Sequence, residues 1–330
     1  MLSLERLALD RCDWDEMDSF QDRVIFQTRE WLQFVSRTQG AEPIVAAVSD
    51  GVERVGYFTG MTVRRFGVPI LGSPLPGWTT LSMGFNLPDA VRRSEAAAAL
   101  PRFAFRSLGC MHLELKDRRL LAADLTGLRF QQTPRVTFEV DLTPDEDAIF
   151  ARMTSACRRA IRKSVKVGVR VEEARGEEFA AEYYAQLEEV FANQGLRPTY
   201  GVDRVRELIR CLEPTGRLLL LRAVTPEGES IATGIFPAMN GTAYFWGGAS
   251  WQSHRILRPN EAIFWHAIRH WRARGVTVLD LGGGGDYKRK FGPRELSVPH
   301  FRKSRLPGLG ALREAARVTL TRLRTGGSLD

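Results

Sequence analysis

The chain has 330 residues, 44% hydrophobic and 26% charged, with a formal net charge of +8. That composition supports a large apolar core, is long for one compact unit and comfortable for two, and excludes a disordered or fibrous polypeptide. The basic balance suits phosphate-rich partners such as tRNA, nucleotides or lipid headgroups, and equally suits an arginine-rich solvated surface.

In chain order, the spacing of Trp31, Leu32, Phe34 and Val35 predicts a helix, followed by a strand over 44–48, a turn at Gly51 and a second strand over 52–61. Residues 72–84 are rich in Gly, Pro, Ser and Trp and read as a shaped loop. A helix is expected over 88–108, then strands over 112–115 and 135–141. Thr143-Pro-Asp145 opens a new helix, so a domain boundary is expected near 145, dividing the chain into 1–145 and 146–305. A strongly basic helix over 157–167 closes on Gly168. After it come a strand (169–173), helices (177–193 and 203–212), three meandering strands (217–224, 230–237, 242–248), a helix over 261–274 and strands over 276–281 and 298–303. This order predicts a mixed α/β sheet with antiparallel central strands, and the first half repeats it weakly. The tail, 306–330, reads as an amphipathic basic helix carrying Leu309, Leu312, Ala316, Leu320 and Leu323. It suits docking back on the first domain, or peripheral contact with a membrane.

Four cysteines, Cys12, Cys110, Cys157 and Cys211, form no C-x-x-C pair, so neither a zinc ribbon nor a disulfide framework is expected. No apolar run approaches the ~20 residues of a membrane span, and Met1-Leu-Ser-Leu-Glu-Arg6 lacks the apolar stretch of a secretory leader. A cytoplasmic protein is expected. His266 and His270 sit four apart on one helix, but the glutamate of H-E-x-x-H is missing and the sequence shows no third ligand, so no metal is expected.

The segment with most chemical content is Val278-Leu-Asp-Leu-Gly-Gly-Gly-Gly-Asp-Tyr-Lys-Arg-Lys-Phe-Gly292. A strand runs into four glycines, where backbone N–H groups can approach a ligand, and then into a basic-aromatic cluster. It fits neither a P-loop nor a G-x-G-x-x-G fingerprint.

Several segments, in this order and spacing, resemble the Fem-like aminoacyl-tRNA-dependent transferases and the CelD-like acetyltransferase domains of the GNAT superfamily. They are Arg158-Arg-Ala-Ile-Arg162-Lys-Ser-Val-Lys166-Val-Gly168, Gly195-Leu-Arg197-Pro-Thr-Tyr200, Ala243-Tyr-Phe-Trp246-Gly-Gly-Ala-Ser250 leading to Arg258-Pro-Asn260, and Asp280 through Gly292. Trp31-Leu-Gln-Phe34 and Ser73-Pro-Leu-Pro-Gly-Trp78 add likeness in the first half. The resemblance implies two tandem GNAT-like domains of the acyl-CoA N-acyltransferase fold, with a substrate cleft between them. It implies transfer of an activated acyl or aminoacyl group to an amine, such as that of a peptidoglycan precursor, a lipid-linked acceptor or a small metabolite. It places Lys290, or Lys288 two residues earlier, beside the acyl-transfer centre or the RNA acceptor end, and assigns Arg197 to the pocket. Arg37, Arg64 and Arg65 are first-domain candidates.

In such a transfer, negative charge gathers on the carbonyl oxygen, where a lysine ammonium or glycine N–H groups stabilise it. The proton of the attacking amine goes to Asp280 or Asp286, directly or through water, or to a substrate or ester oxygen; Asp280 reads equally as a strand-end carboxylate satisfied by backbone N–H groups. Candidate substrate contacts are Arg197, Tyr200, Trp246, Asn260, Asp286, Tyr287 and Phe291. Candidate phosphate or RNA contacts are Arg158, Arg162, Arg255, Arg258 and Arg289. The segment 250–260, where a CoA-dependent enzyme would carry a glycine-rich pyrophosphate loop, contains no glycine. That favours aminoacyl-tRNA as co-substrate over acyl-CoA, with no tightly bound cofactor. A non-catalytic module binding RNA or a glycan precursor is the alternative from another class.

Overall fold

The computed structural model describes residues 1–65 and 67–306. In chain order the elements of the first part are β1 (Leu2–Leu7), α1 (Trp14–Asp18), α2 (Arg29–Gln39), β2 (Glu42–Asp50), β3 (Glu53–Arg65), β4 (Val68–Ser73), β5 (Gly84–Asn86), α3 (Arg93–Arg102), β6 (His112–Leu115) and β7 (Gln131–Thr133). Next come β8 (Val136–Asp141), α4 (Glu146–Arg152), α5 (Ser155–Lys166), β9 (Arg170–Ala174), α6 (Glu178–Ala192), α7 (Val202–Leu212), β10 (Leu218–Val224), β11 (Ser230–Met239), β12 (Thr242–Tyr244), β13 (Gly247–Ser250), α8 (Pro259–Ala273), β14 (Val278–Asp280), β15 (Arg294–Ser297) and β16 (His300–Ser304).

These elements form two compact units, residues 1–135 with the chain from 298, and residues 136–297. The boundary therefore falls ten residues before the expected one at 145. Strand β8 lies inside the second sheet, pairing with β14 through Leu279↔Val140 and with β15 through Glu295↔Phe138. The second crossing, expected at 305, falls between 297 and 298, because β16 pairs with β6 and β7 in the first sheet. The tail helix expected over 306–330 falls almost wholly on residues outside the described ones.

Each unit is built on an eight-stranded mixed sheet, β1-β2-β3-β4-β6-β16-β7 with β5 on β3, and β15-β8-β14-β12-β11-β10-β9 with β13 on β11. The mixed α/β expectation is met twice. In the first unit, Phe58, Phe85, Leu113 and Phe301 pack under α3, whose Ala96, Ala97 and Leu100 are fully buried. The expected helix over 88–108 starts only at Arg93, and Pro101, which lacks a backbone donor, precedes a widening into a π-turn at Phe103–Ser107. The loop expected over 72–84 conceals the end of β4 and the start of β5, since Gly and Pro mask their strand pattern.

In the second unit, α4, α5 and α8 cover an apolar core of Phe138, Ile161, Leu219, Phe236, Phe264 and Leu279. Thr154 caps α5 by accepting from the Cys157 N–H, as Asp145 caps α4 by accepting from Ala148. Among the described residues, no helix is long and apolar enough to cross a membrane.

Candidate functional site

The site lies where two parallel strands of the second unit part. β12 and β14 pair in register through Thr242↔Val278, Ala243↔Leu279 and Tyr244↔Asp280, and Phe245 N–H still donates to the Asp280 carbonyl at 2.8 Å. Beyond this point they diverge. The Trp246 N–H turns back to Ile235 of β11, and β13 pairs with β11 alone. On the other side, Leu281 N–H donates to the Phe138 carbonyl of β8. A fork opens between β13 and the glycine turn that follows β14.

Strand alternation sends neighbouring aromatics at the fork to opposite faces of the sheet. Trp246 joins Tyr200 and Tyr183 on the α6–α7 side, with ring centroids 5.7 and 6.5 Å away. The hydroxyls of Tyr183 and Tyr200 are 2.9 Å apart, and the Arg204 guanidinium stands 5.2 Å above the Tyr200 ring. Gly247 is required here, because a Cβ on it would come within 2.5 Å of the Tyr183 hydroxyl. Phe245 faces α8 and packs on Phe264, which in turn packs on Phe291 at 4.6 Å.

The glycine turn is a built structure. The Asp280 carboxylate is buried and accepts from the Gly282 N–H at 2.8 Å and from the Thr137 hydroxyl. This is the strand-end arrangement, which ties Asp280 to the shape of the turn and counts against its expected role as a base. Residues Asp286–Phe291 then coil into a 3-10 turn that aims Lys288 inward. Lys288 is only 7% exposed; its ammonium donates to the Gly283 carbonyl at 2.9 Å and lies 5.9 Å from the Phe245 ring centroid. Burial pulls its pKa below the ordinary lysine value, and the negative charge of Asp280 pulls back.

Lys290 points instead to the start of α8, where its ammonium donates to Glu261 Oε1 at 2.8 Å. The Lys290 carbonyl accepts from Thr154 N–H, docking the turn on the start of α5. Asn260 donates to Ser250 Oγ at 3.0 Å and joins the end of β13 to α8.

The fold thus brings together Tyr200, Trp246, Asn260, Asp280, Lys288 and Lys290 around the fork and the turn. Other expected contacts have different places. Phe291 is 1% exposed and belongs to the core, so its expected substrate contact is corrected. Arg158 donates to the Ala151 and Met153 carbonyls at the end of α4, and Arg162 stacks on Phe150, so both serve local structure. Arg289 pairs with Glu295 and Asp286 and covers Phe138. Arg197, Arg255, Arg258 and Asp286 are exposed, and Tyr287 is half-exposed over the turn. Sequence reading missed Glu261, Tyr183 and Thr137, whose partners lie 29, 17 and 143 positions away, and Arg204, which sits over Tyr200 four positions before it. The thiol beside this region, Cys157, is pushed up to about 11 by burial and makes a poor nucleophile at neutral pH.

Residues 151–289 match the family model described as an acetyltransferase (GNAT) domain. That match covers most of the second unit and marks it as similar to a GNAT acetyltransferase domain. No curated protein matches the chain with significance. Among solved structures, the chain resembles FemX at 14% identity, covering 94% of this chain and 100% of that one with a TM-score of 0.77. It resembles a tandem GNAT protein from the clavulanic acid biosynthesis pathway at 15% identity, covering 93% and 100%, TM-score 0.54. It also resembles L-PGS from Bacillus licheniformis at 11% identity, covering 91% and 98%, TM-score 0.53. The fold is therefore the Fem-like tandem GNAT fold expected from the sequence.

Proposed function

We propose that this protein forms an amide by transferring an aminoacyl group from aminoacyl-tRNA to an amine, with Lys288 facing the reacting carbonyl at the strand fork. The acceptor is the amine of a peptidoglycan precursor, a lipid-linked molecule or a small metabolite. The observation that carries this reading is the buried Lys288 ammonium beside Phe245, where β12 and β14 part. One of its three N–H donors is used by the Gly283 carbonyl, and the others remain for an oxyanion.

In the proposed step the amine nitrogen attacks the ester carbonyl carbon. The new C–N bond forms, the C–O bond to the ribose breaks, and the amine proton passes to the departing ribose oxygen. A lysine whose pKa is lowered by burial is better matched to donate towards that oxygen than an ordinary one.

The start of α8 supports tRNA over CoA. Residues Gln252–Leu257 form a glycine-free 3-10 turn, Arg258 takes a left-handed conformation at φ 62, and Pro259 supplies no N–H. The first turn of α8 already holds the Glu261 carboxylate at its positive end. A second anion such as the CoA pyrophosphate would meet that charge. Exposed Arg197, Arg255 and Arg258, with Lys290, offer cations to the acceptor end of an RNA.

The test is incubation of the full chain with mixed charged tRNAs and acyl-CoAs and a panel of amines, followed by mass spectrometry. An amine that gains an aminoacyl mass, with the gain abolished by ribonuclease, supports the reading. Ribonuclease-insensitive turnover on acyl-CoA replaces it with a CoA-dependent N-acyltransferase. Salt-sensitive binding of RNA with no covalent product replaces it with a binding module.

A further inference from the structure

Away from the fork, α8 and the edge strand β9 assemble a cluster of metal-ligating side chains. His266 and His270 are one helical turn apart on the same face of α8, with ring centroids 6.5 Å apart. The sequence shows them no third ligand, but the fold does. β9 is the outermost strand of its sheet, and Glu173 pairs with Leu221 of β10. Along β9, Val171 packs against the core, so Glu173, two residues on, shares that α8-facing side, while Glu172 turns away and pairs with Arg170. Glu173 Oε1 lies 2.7 Å from His270 Nδ1, and one ligand atom from each of the three residues lies within 4.8 Å of the others.

We infer that Glu173, His266 and His270 form a zinc-class divalent-metal site, with two imidazoles, one carboxylate and a fourth position open to water. Zinc–nitrogen bonds of about 2.0–2.1 Å in a tetrahedron put ligand atoms about 3.3 Å apart. The Glu173–His270 contact opens slightly by rotation of the exposed Glu173 side chain and His266 closes in, while the His270 side chain, 8% exposed, stays in place. Two imidazoles with one carboxylate favour zinc over calcium or magnesium, which prefer oxygen. Burial lowers the pKa of both histidines. The charged groups around them are Glu173, Arg269 and Arg274; Arg269 is held outward by Glu146.

The site's role is a staple. It ties an edge strand, bonded on one side only, to the helix whose first turn holds Glu261. His270 is nine residues from Glu261, about 14 Å along the helix, so the metal acts on the position of α8 and not on the reacting groups.

The test uses the full chain stripped with a chelator and titrated with cobalt(II), read by its ligand-field absorption, then with zinc(II) in competition with a chromophoric chelator. One equivalent is expected, with affinity falling by at least about 100-fold in His266→Ala/His270→Ala and by at least about tenfold in Glu173→Gln. Saturating zinc is expected to raise the melting temperature of the unaltered protein and leave that of the double variant unchanged. Circular dichroism confirms folding, and His270→Gln serves as a milder replacement if the double variant fails to fold. Absence of stoichiometric binding at micromolar metal overturns the inference. So does binding that survives in the histidine variants, which would place the metal elsewhere.

Discussion

Lys290 and Glu261, 29 positions apart in the chain, meet at 2.8 Å and lock the glycine turn to the first turn of α8. The Glu261 side chain is 10% exposed and Lys290 28%, so the carboxylate depends on this cation. Lys290→Ala should destabilise the protein by about 2 kcal/mol, because it leaves a nearly buried charge without its partner. Adding Glu261→Gln should restore most of that stability. If Lys290 also meets the donor RNA, the double variant still shows about a tenfold higher KM for the donor with kcat little changed. Urea unfolding and steady-state kinetics on the four members of the cycle separate the two roles. Full recovery of KM in the double variant would reduce Lys290 to a structural residue.

Lys288 carries the proposed oxyanion contact, so Lys288→Met should lower kcat by about 100-fold. The stability effect has its own pH signature. The pKa of Lys288 is lowered in the folded chain, so the folded state releases this proton before the unfolded state does. The cost of the buried ammonium is therefore complete below the folded pKa and is relieved as pH rises through it towards the ordinary value of 10.5. The unaltered protein should gain stability relative to Lys288→Met across that alkaline window. Denaturant unfolding of both proteins at several pH values from neutral upward measures the difference. A difference that stays flat or falls with pH would contradict the assignment.

Asp280 distinguishes a base from a scaffold. Its carboxylate holds the Gly282 N–H, and Gly282 has a φ of 71° that this bond helps to fix. Both donors reach the same oxygen, Oδ1, which Asp280→Asn keeps as an acceptor, so turnover should stay within about tenfold of the unaltered enzyme. Asp280→Ala should cost about 1–3 kcal/mol by leaving buried donors unpaired. A loss of turnover of about 1,000-fold or more in Asp280→Asn, with the fold intact, would reinstate the catalytic base.

What the sequence made legible follows a physical division. Periodicity and caps reveal α5, α6, α7 and α8, and the meander β10–β11–β12, because these depend on residues a few positions apart. The glycine turn and its lysines were visible for the same reason. What stayed hidden depends on pairing across long separations. Nothing near Glu261 announces Lys290, and nothing near His266 announces Glu173 on an edge strand. The third strand of the meander was expected to be continuous, yet it breaks at Phe245 and Trp246, and that break opens the fork. Phe291 looked like a ligand contact because it follows the basic cluster, but the 3-10 turn carries it into the core.

The first unit contains a different electrostatic anchor. The Arg93 guanidinium donates to Asp117 at 2.8 Å, to the Phe85 carbonyl at 3.1 Å and to Asp22. Asp117 also accepts from the Phe85 and Arg119 N–H groups, yet burial still pushes its pKa above the ordinary carboxylate value, against the lowering by Arg93. Arg93→Met should destabilise the protein by about 3–5 kcal/mol, since it strands two buried carboxylates. A carboxyl group with a raised folded pKa holds its proton more tightly when folded. Its contribution is favourable below the unfolded pKa of 3.8 and is lost as pH rises through the folded pKa. Removing Arg93 raises that pKa further, so the variant's deficit should be largest near neutral pH and shrink on acidification. Urea unfolding of both proteins at pH about 5 and about 7.5 tests this sign. A deficit that is equal at both values, or larger in acid, would mean that packing against Phe85 and not charge accounts for the loss.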